Sequence, residues 1–138
     1  MDKCVFCEIL KGSIPSFIIY EDEDFLAFLD ISQFTKGHTV VIPKKHVQFV
    51  WDFDQVGKYF EVVSKIANHF RALGYKYVDS ITFGRKVPHA HVHLIPHNGD
   101  SVDYQKAISV FGEMQKDQSR RSSKDVMSSI QNELEIKK

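Results

Sequence analysis

His89-Ala90-His91-Val92-His93-Leu94-Ile95-Pro96 is the most unusual run in this 138-residue chain. Its histidines alternate with apolar residues, and a β-strand directs residues i, i+2 and i+4 to one face. The alternation predicts a strand over 89–95, with three imidazoles on one face and the apolar residues in a core. Such a row is costly without partners, because protonated rings repel and buried neutral rings need hydrogen bonds. The row therefore indicates chemistry rather than packing.

Two kinds of chemistry can use a row of imidazoles. Several of the rings could bind one metal ion. Alternatively, one ring could act as a nucleophile, because an unperturbed imidazole has a pKa of about 6.5 and is largely neutral at pH 7. A neutral ring can attack a phosphorus atom and form a phosphoramidate, while its neighbours hold the phosphate oxygens.

Short apolar runs and one amphipathic segment predict the architecture around the histidines. The strand candidates are 17–20, 25–29, 39–42, 75–83 and 89–95, and an acidic turn at 21–24 joins the first two. A long helix is expected over 54–73, capped by Asp54 and ended by Gly74. Its core stripe is predicted to be Val56, Phe60, Val63, Ala67 and Phe70. The sum is an α+β fold: an antiparallel sheet of about five strands with one long helix packed on it.

The remainder of the chain, 101–138, is polar and is expected to extend the catalytic core of residues 1–100 within a single domain, 1–138. A short helix is possible at 103–115, and a C-terminal helix is predicted over 123–135. Ser122 and Asp125 have the spacing of a capping box for that helix.

Composition excludes several classes of function. Lys plus Arg and Asp plus Glu both number 18, so the basic surplus of a general nucleic-acid-binding protein is missing. No apolar run reaches membrane length, and no signal-peptide core is found near the start. The expected protein is cytoplasmic, with neither nucleic acid nor membrane as a partner.

The histidine run resembles the signature of the histidine triad (HIT) family, His-φ-His-φ-His-φ-φ, where φ is apolar. Further stretches stand in the family's order, and together they cover roughly residues 4–96. These stretches are Ile14-Pro15, Tyr20–Asp22, Leu26–Ser32, Lys36–Thr39 and Val41–His46. The resemblance is to the bacterial branch of the family and implies a HIT-like fold.

The resemblance also implies an activity and a set of site residues. Such enzymes release a nucleoside monophosphate, here AMP or GMP, from phosphoramidate or phosphoanhydride substrates. By likeness, His91 is the nucleophile that takes the nucleotidyl group, with His93 and His38 beside the α-phosphate. Asp30 would accept hydrogen bonds from the ribose hydroxyls. The positions expected to enclose a purine base are Val5, Phe6, Ile9, Ile14, Phe28 and Ile31.

One segment departs from the family pattern. Family members usually carry Gly-Gln-Ser/Thr-Val before the triad, whereas this chain has Gly84-Arg85-Lys86-Val87. Arg85 or Lys86 could hold a phosphate by charge. We expect this substitution of the usual residues to change the reaction rate and the preferred leaving group rather than the type of reaction.

Cys4-Val5-Phe6-Cys7 has the two-residue gap that lets both sulfur atoms bind one metal. A redox pair or two buried thiols would have the same spacing. The resemblance supplies two further ligands, His46 and His89. Thiolate with imidazole favours Zn²⁺, and four protein ligands would make the site structural.

Two other hypotheses remain open from the sequence. One is a metal-dependent hydrolase that uses the histidine row as an open catalytic site. The other is a nucleotide-binding sensor or partner-binding module with little turnover, which the missing Gln and hydroxyl residue favour. The resemblance further suggests a homodimer formed through the long helix and an adjoining strand. His69 is expected to be exposed and without a role.

Overall fold

The computed structural model describes residues 4–137, and the chain divides after Val102 into two compact units. The first unit contains a five-stranded sheet, a short helix and a long helix. Its elements are α1 (Val5–Leu10), β1 (Ile18–Glu21), β2 (Phe25–Leu29), β3 (Thr39–Pro43), α2 (Val56–Ala72), β4 (Tyr77–Ile81) and β5 (Val92–His97). The second unit carries the α3 helix (Val102–Lys116), which begins at the boundary, and the α4 helix (Lys124–Leu134).

The sheet has the strand order β1-β2-β3-β5-β4, and every neighbouring pair is antiparallel. Strands β2 and β3 are apolar apart from Thr39, because the sheet is covered on both faces there. From β2 and β3, Phe25, Ala27 and Val41 join a core with α2. Their neighbours form a second core on the opposite face, made of Leu26, Phe28, Val40 and Ile42. The predicted α+β class and five-stranded antiparallel sheet are confirmed.

Helix α2 packs on the first face, but with a different stripe from the predicted one. Its buried residues are Tyr59, Val63, Ile66 and Phe70. Val56 and Phe60, which were expected in the core, are 40% and 41% exposed. The stripe is rotated because Tyr59 is the anchoring residue, with its hydroxyl donating to the carbonyl oxygen of Val41 at 2.6 Å. The predicted Asp54 cap is also wrong, since Gln55 occupies the cap position without a side-chain bond.

Helix α1 has no counterpart among the predicted elements. It is only six residues long, and the Sγ of Cys4 accepts a hydrogen bond from the backbone N–H of Cys7 at its start. Phe6, Ile9 and Leu10 pack against the second core, so α1 closes the face of the sheet opposite α2. This face carries the histidines.

The histidine row is only partly a strand. Strand β5 begins at Val92, so His89 and His91 lie in the irregular segment before it, with a bend at His89, and only His93 of the three is a strand residue. The strand also continues through Pro96 to His97 instead of ending before Pro96. Alternation still holds in β5, because Val92 and Leu94 enter the α2 core while His93 faces the other way.

The second unit consists of α3 and α4 with a short 3-10 turn between them. Ser123 caps α4 by accepting from the N–H of Val126, so the predicted Ser122–Asp125 capping box is wrong by one residue. Apolar residues of α4 such as Val126 and Ile130 are 48% and 41% exposed. Within residues 4–137, no helix combines the length and apolarity that crossing a bilayer requires.

The buried Tyr59 hydroxyl provides a test of this packing. We expect Tyr59→Phe to lower the free energy of unfolding by about 1–2 kcal/mol, because the change leaves the Val41 carbonyl oxygen buried without that donor. Urea denaturation measures the change. Tyr77→Phe is the matched control, since Tyr77 is 45% exposed, and it should change stability by less than about 0.5 kcal/mol. Equal effects of the two variants would contradict this account of α2.

Candidate active site and metal centre

The site lies on the α1 face of the sheet, where four parts of the chain meet. Asp30 follows β2, His38 precedes β3, and His91 and His93 flank the start of β5. Phe6 of α1 packs its ring edge-to-face on the ring of His91, with the centroids 5.2 Å apart. The predicted catalytic histidines are thus brought together, although His38 is 53 positions before His91 in the sequence.

The orientation of His91 is set by a backbone carbonyl. Its Nδ1 lies 2.8 Å from the carbonyl oxygen of His89, so Nδ1 carries the proton and donates. The other nitrogen, Nε2, is left with a free lone pair. The Oγ1 of Thr82 donates to the carbonyl oxygen of His91 at 2.6 Å and so holds the backbone of the same residue. This is the tautomer that a nucleophilic imidazole needs.

His38 and His93 form a hydrogen-bonded pair of defined direction. His38 Nδ1 lies 2.9 Å from the carbonyl oxygen of Ser32 and therefore donates to it. His38 Nε2 then accepts from Nδ1–H of His93, 2.9 Å away. The Oδ2 of Asp30 lies 3.7 Å from His38 Nε2 and 3.8 Å from His93 Nδ1. The chain of donors leaves Nε2 of His93 unprotonated.

Burial and charge keep His93 neutral. Desolvation, together with the neighbouring His91 and His38, lowers the pKa of His93 to about 4, and the Asp30 carboxylate offsets this only in part. Burial is also the main cause that lowers the pKa of His89. At pH 7, His93 is therefore a proton acceptor and not a cation.

A second cluster joins α1 to the segment before the nucleophile. The donor atoms of Cys4, Cys7, His46 and His89 lie within 4.8 Å of one another. Nδ1 of His89 is 3.2 Å from Cys4 Sγ and 3.1 Å from Nδ1 of His46, and Cys7 Sγ is 3.3 Å from the latter. These four residues are the predicted metal ligands, and the structure brings all of them together.

The donor set fits a tetrahedral metal ion. Nε2 of His89 donates to the carbonyl oxygen of Pro43 at 2.9 Å, which leaves its Nδ1 lone pair facing the two sulfur atoms. Burial and the adjacent Cys4 raise the pKa of the Cys7 thiol to about 11. Two thiols and two imidazoles in this arrangement are the ligands that zinc prefers. The group could hold a metal ion with His46 and His89 as its nitrogen ligands.

A cavity of about 640 Å³ lies beside the histidines, a size typical of small-molecule sites. The cavity is lined by His91 and His93, by Phe6 and Asp30, and by the segment 83–87. Of the predicted substrate-binding residues, Phe6, Asp30, Arg85 and Lys86 line this cavity. Ile9 and Phe28 pack in the second core, whereas Ile31 is 94% exposed and Val5 and Ile14 are 39% and 37% exposed.

Several residues that shape the site escaped the sequence analysis. Ser32 and Thr82 act through a carbonyl oxygen and a hydroxyl, and nothing in their residue types distinguishes them from surface residues. Gly84 has φ of +93°, and a Cβ there would lie 2.8 Å from Cδ1 of Phe49. The glycine in front of the basic pair was the one available signal for that turn.

The lowered pKa of His93 predicts a stability change with pH. Between about pH 6.5 and pH 4, the unfolded chain protonates this residue and the folded protein does not. Its contribution to stability is therefore complete above pH 6.5 and is lost as the pH falls toward 4. We expect His93→Asn to lose less stability than the wild type between pH 7 and pH 4.5, measured by urea denaturation. His69→Asn, at an exposed position on α2, should keep the wild-type dependence of the free energy of unfolding on pH. If His93→Asn showed that same dependence, the lowered pKa of His93 would be contradicted.

The HIT domain family matches residues 11–100 of this chain. The chain is 47% identical over 106 residues to Protein hit of Bacillus subtilis, covering 71% of this chain and 73% of that protein. It is 34% identical over 99 residues to an adenosine 5′-monophosphoramidase of Schizosaccharomyces pombe, covering 67% and 73%.

Solved structures give the same result. A HIT family protein from Bacillus subtilis superposes with a TM-score of 0.68 at 36% identity, covering 88% of this chain and 99% of that one. A Zn-bound histidine triad protein from Mycobacterium smegmatis has a TM-score of 0.64 at 38% identity, covering 72% and 78%. A HIT family hydrolase from Clostridium thermocellum has a TM-score of 0.62 at 33% identity, covering 72% and 95%. With its histidine cluster, its Cys/His group and these matches, the chain belongs to the HIT family.

Proposed function

We propose that this protein cleaves a nucleoside monophosphate from phosphoramidate or phosphoanhydride substrates through a nucleotidyl intermediate on His91. The observation that carries the proposal is the hydrogen bond from Nδ1 of His91 to the carbonyl oxygen of His89, which leaves Nε2 as a lone-pair donor in a ring that lines the cavity. Family membership supports a hydrolase that acts on nucleotides, and this bond supports His91 as its nucleophile.

The first step forms one bond and breaks another. The Nε2 lone pair of His91 attacks the α-phosphorus, and the bond from phosphorus to the leaving oxygen or nitrogen breaks with its electron pair going to the leaving group. Proton uptake by the leaving group completes its release. The Nδ1–H bond to the carbonyl oxygen of His89 stabilises the positive charge that the ring gains on becoming phosphorylated.

The second step returns the enzyme to its starting state. Water attacks the phosphorus, the P–N bond breaks, and its electron pair goes back to Nε2 of His91. Neutral His93, with an unprotonated Nε2, is suited to accept the proton that the water loses. Release of that proton to solvent, which balances the proton that the leaving group took from solvent in the first step, restores neutral His93. His38 holds His93 in that tautomer, because its own Nδ1 is committed to the carbonyl oxygen of Ser32.

The nucleoside is placed by Asp30 and by the apolar residues of α1 and of the segment after β2. One carboxylate oxygen of Asp30 accepts from the backbone N–H of Ser32, and the other faces the histidines and is positioned to accept from ribose hydroxyls. The exposed Ile31 offers apolar surface next to Asp30, and Phe6 lines the cavity. These two, with Val5, Ile9, Ile14 and Phe28, are the proposed surroundings of a purine base, AMP or GMP being the product. The Schizosaccharomyces pombe relative, an adenosine 5′-monophosphoramidase, supports adenosine.

The metal proposed for the Cys4, Cys7, His46 and His89 group is a structural zinc ion. Four protein ligands leave no open position for substrate, and the Mycobacterium smegmatis relative is Zn-bound. Through the ring and the carbonyl oxygen of His89, the site connects α1 to the nucleophile. A cytoplasmic homodimer, with α2 and an adjoining strand at the contact, completes the proposal.

A second function is favoured by the Arg85-Lys86 pair, which replaces the usual neutral residues of the family. A chain altered there could bind nucleotide and turn it over slowly, as a sensor or partner-binding module does. Tight AMP binding without a covalent intermediate would favour that function.

The covalent step is tested by trapping the intermediate. We expect wild-type protein to release AMP from adenosine phosphoramidate and, after rapid acid quench, to show an added mass of AMP on the peptide that contains His91. His91→Asn should lose the adduct and at least about 1000-fold of kcat/KM, since it removes the nucleophile. His69→Asn is the control, and it should keep wild-type turnover because His69 is exposed on α2. Wild-type turnover by His91→Asn would refute the mechanism.

Metal removal separates a structural ion from a catalytic one. We expect a chelator or Cys7→Ser to lower Tm by several degrees, because the ligands hold α1 against the segment before β5. In freshly chelated protein well below its Tm, turnover should persist until α1 detaches. Thermal melts and activity are followed on the same samples, and added Zn²⁺ should restore the Tm of the chelated wild type. Immediate loss of activity at an unchanged Tm would instead indicate a metal that takes part in the reaction.

A further inference from the structure

We infer that Arg85 and Lys86 select substrates whose leaving group carries phosphate, so that a nucleoside polyphosphate is preferred over a nucleoside phosphoramidate with a neutral amine. This inference rests on the proposed function and narrows its substrate class. It depends on where the basic pair lies, on how its backbone is held, and on the fact that its charges are available.

The basic pair lines the same cavity as the proposed nucleophile, His91. The segment 83–87 contributes Phe83, Gly84 and Val87 together with the pair, and His93 also lines this cavity. Within this lining, Arg85 and Lys86 are the two basic side chains other than histidine, and Asp30 is the one carboxylate. A substrate that reaches His91 therefore comes within the field of two positive charges.

The backbone that carries the pair is fixed on both sides. The hydroxyl of Thr82 donates to the carbonyl oxygen of His91, so the residue just before the segment is tied to the backbone of the proposed nucleophile. Gly84 is buried against Phe49 and Gln48, and an added Cβ would lie 2.9 Å from the backbone oxygen of Gln48. The φ of +93° and the close contact both require glycine, so the backbone just before Arg85 and Lys86 is held in one conformation.

The charges are available to a ligand. Both side chains are exposed, and among residues 4–137 neither one is paired with a carboxylate. Arg85 instead lies near the ring of Phe83, with its Cζ 6.0 Å from the ring centroid. A guanidinium held by an aromatic ring keeps its planar donors free for phosphate oxygens.

In-line attack limits where the leaving group can depart. The attacking Nε2 and the leaving atom lie roughly in line through the phosphorus, so the leaving group departs on the side away from His91. Among the residues that line the cavity, Asp30 repels phosphate whereas Arg85 and Lys86 attract it, so an anionic leaving group is drawn toward residues 83–87. When the P–O bond breaks, negative charge grows on the departing oxygen, and fixed cations stabilise that charge in the transition state. A leaving group that departs as a neutral amine carries no negative charge, so the two cations do not stabilise its departure in this way.

The test compares two substrates in the full-length protein. For each variant, kcat/KM is measured with diadenosine tetraphosphate and with adenosine phosphoramidate, and their ratio is taken. We expect the ratio to fall about tenfold or more in Arg85→Gln/Lys86→Gln, since a hydrogen bond to a charged group is worth roughly that factor. Arg85→Lys/Lys86→Arg, which keeps both charges, should retain most of the wild-type ratio.

A matched control removes two positive charges elsewhere. Lys116→Gln/Arg121→Gln changes the net charge equally at exposed positions of the second unit, and it should keep the wild-type ratio. The inference is overturned if Arg85→Gln/Lys86→Gln leaves the ratio unchanged, or if the control lowers it as much.

Binding distinguishes failure of this inference from failure of the proposed function. In the His91→Asn background, calorimetry compares ATP with AMP, because the two extra phosphates of ATP stand where the leaving group would be. ATP should bind about tenfold tighter or more, and Arg85→Gln/Lys86→Gln should abolish the difference. If no substrate is turned over but this difference is seen, the hydrolase proposal fails and the phosphate preference stands. Equal affinities for ATP and AMP overturn the preference whatever the turnover.

Discussion

The hydrogen bond between Nδ1 of His91 and the carbonyl oxygen of His89 is the constraint on which the rest of the site depends. It is a bond between residues two positions apart, and it fixes the tautomer of one ring through the backbone of another. The ring of His89 meanwhile donates to the carbonyl oxygen of Pro43 and turns its other nitrogen to the cysteines. His89 thus contributes its side chain to the group that could hold a metal ion, and its backbone carbonyl to the proposed nucleophile.

The same division extends across the sheet. One face is covered by α2, and Tyr59 of this helix donates a hydrogen bond to the backbone of β3. The residues on this face form a hydrophobic core. The other face is closed by α1, which is too short to be stable alone and is held by Cys4, Phe6 and Cys7. Because α1 contacts His89 and His91, the position of this helix and the order of the candidate site are linked. Stability and chemistry are therefore linked at this end of the sheet and separate at the other.

Much of the architecture could be predicted because its signals are local. The apolar runs at 25–29 and 39–42 correctly indicated strands β2 and β3, and the long amphipathic segment correctly indicated α2. The errors also have physical causes. The stripe of α2 is rotated because hydrophobicity alone ranks Phe60 above Tyr59, whereas the buried carbonyl oxygen of Val41 selects the residue with a hydroxyl. Helix α1 was missed since six residues give too little periodicity to detect.

The sequence by itself determined which reactive side chains are present. These are the alternating imidazoles, two thiols separated by two residues, a carboxylate after β2 and a basic pair where the family usually has neutral residues. Only the tertiary structure decided which nitrogen of each ring is free, which carbonyl oxygens hold the others, and that the basic pair shares a cavity with His91. The reason is that a tautomer, a hydrogen-bond partner and a shared cavity all depend on contacts between residues, several of which are distant in the sequence. Cys4 and His89 are 85 positions apart, and a tautomer depends on whichever acceptor the fold brings within about 3 Å of a ring nitrogen.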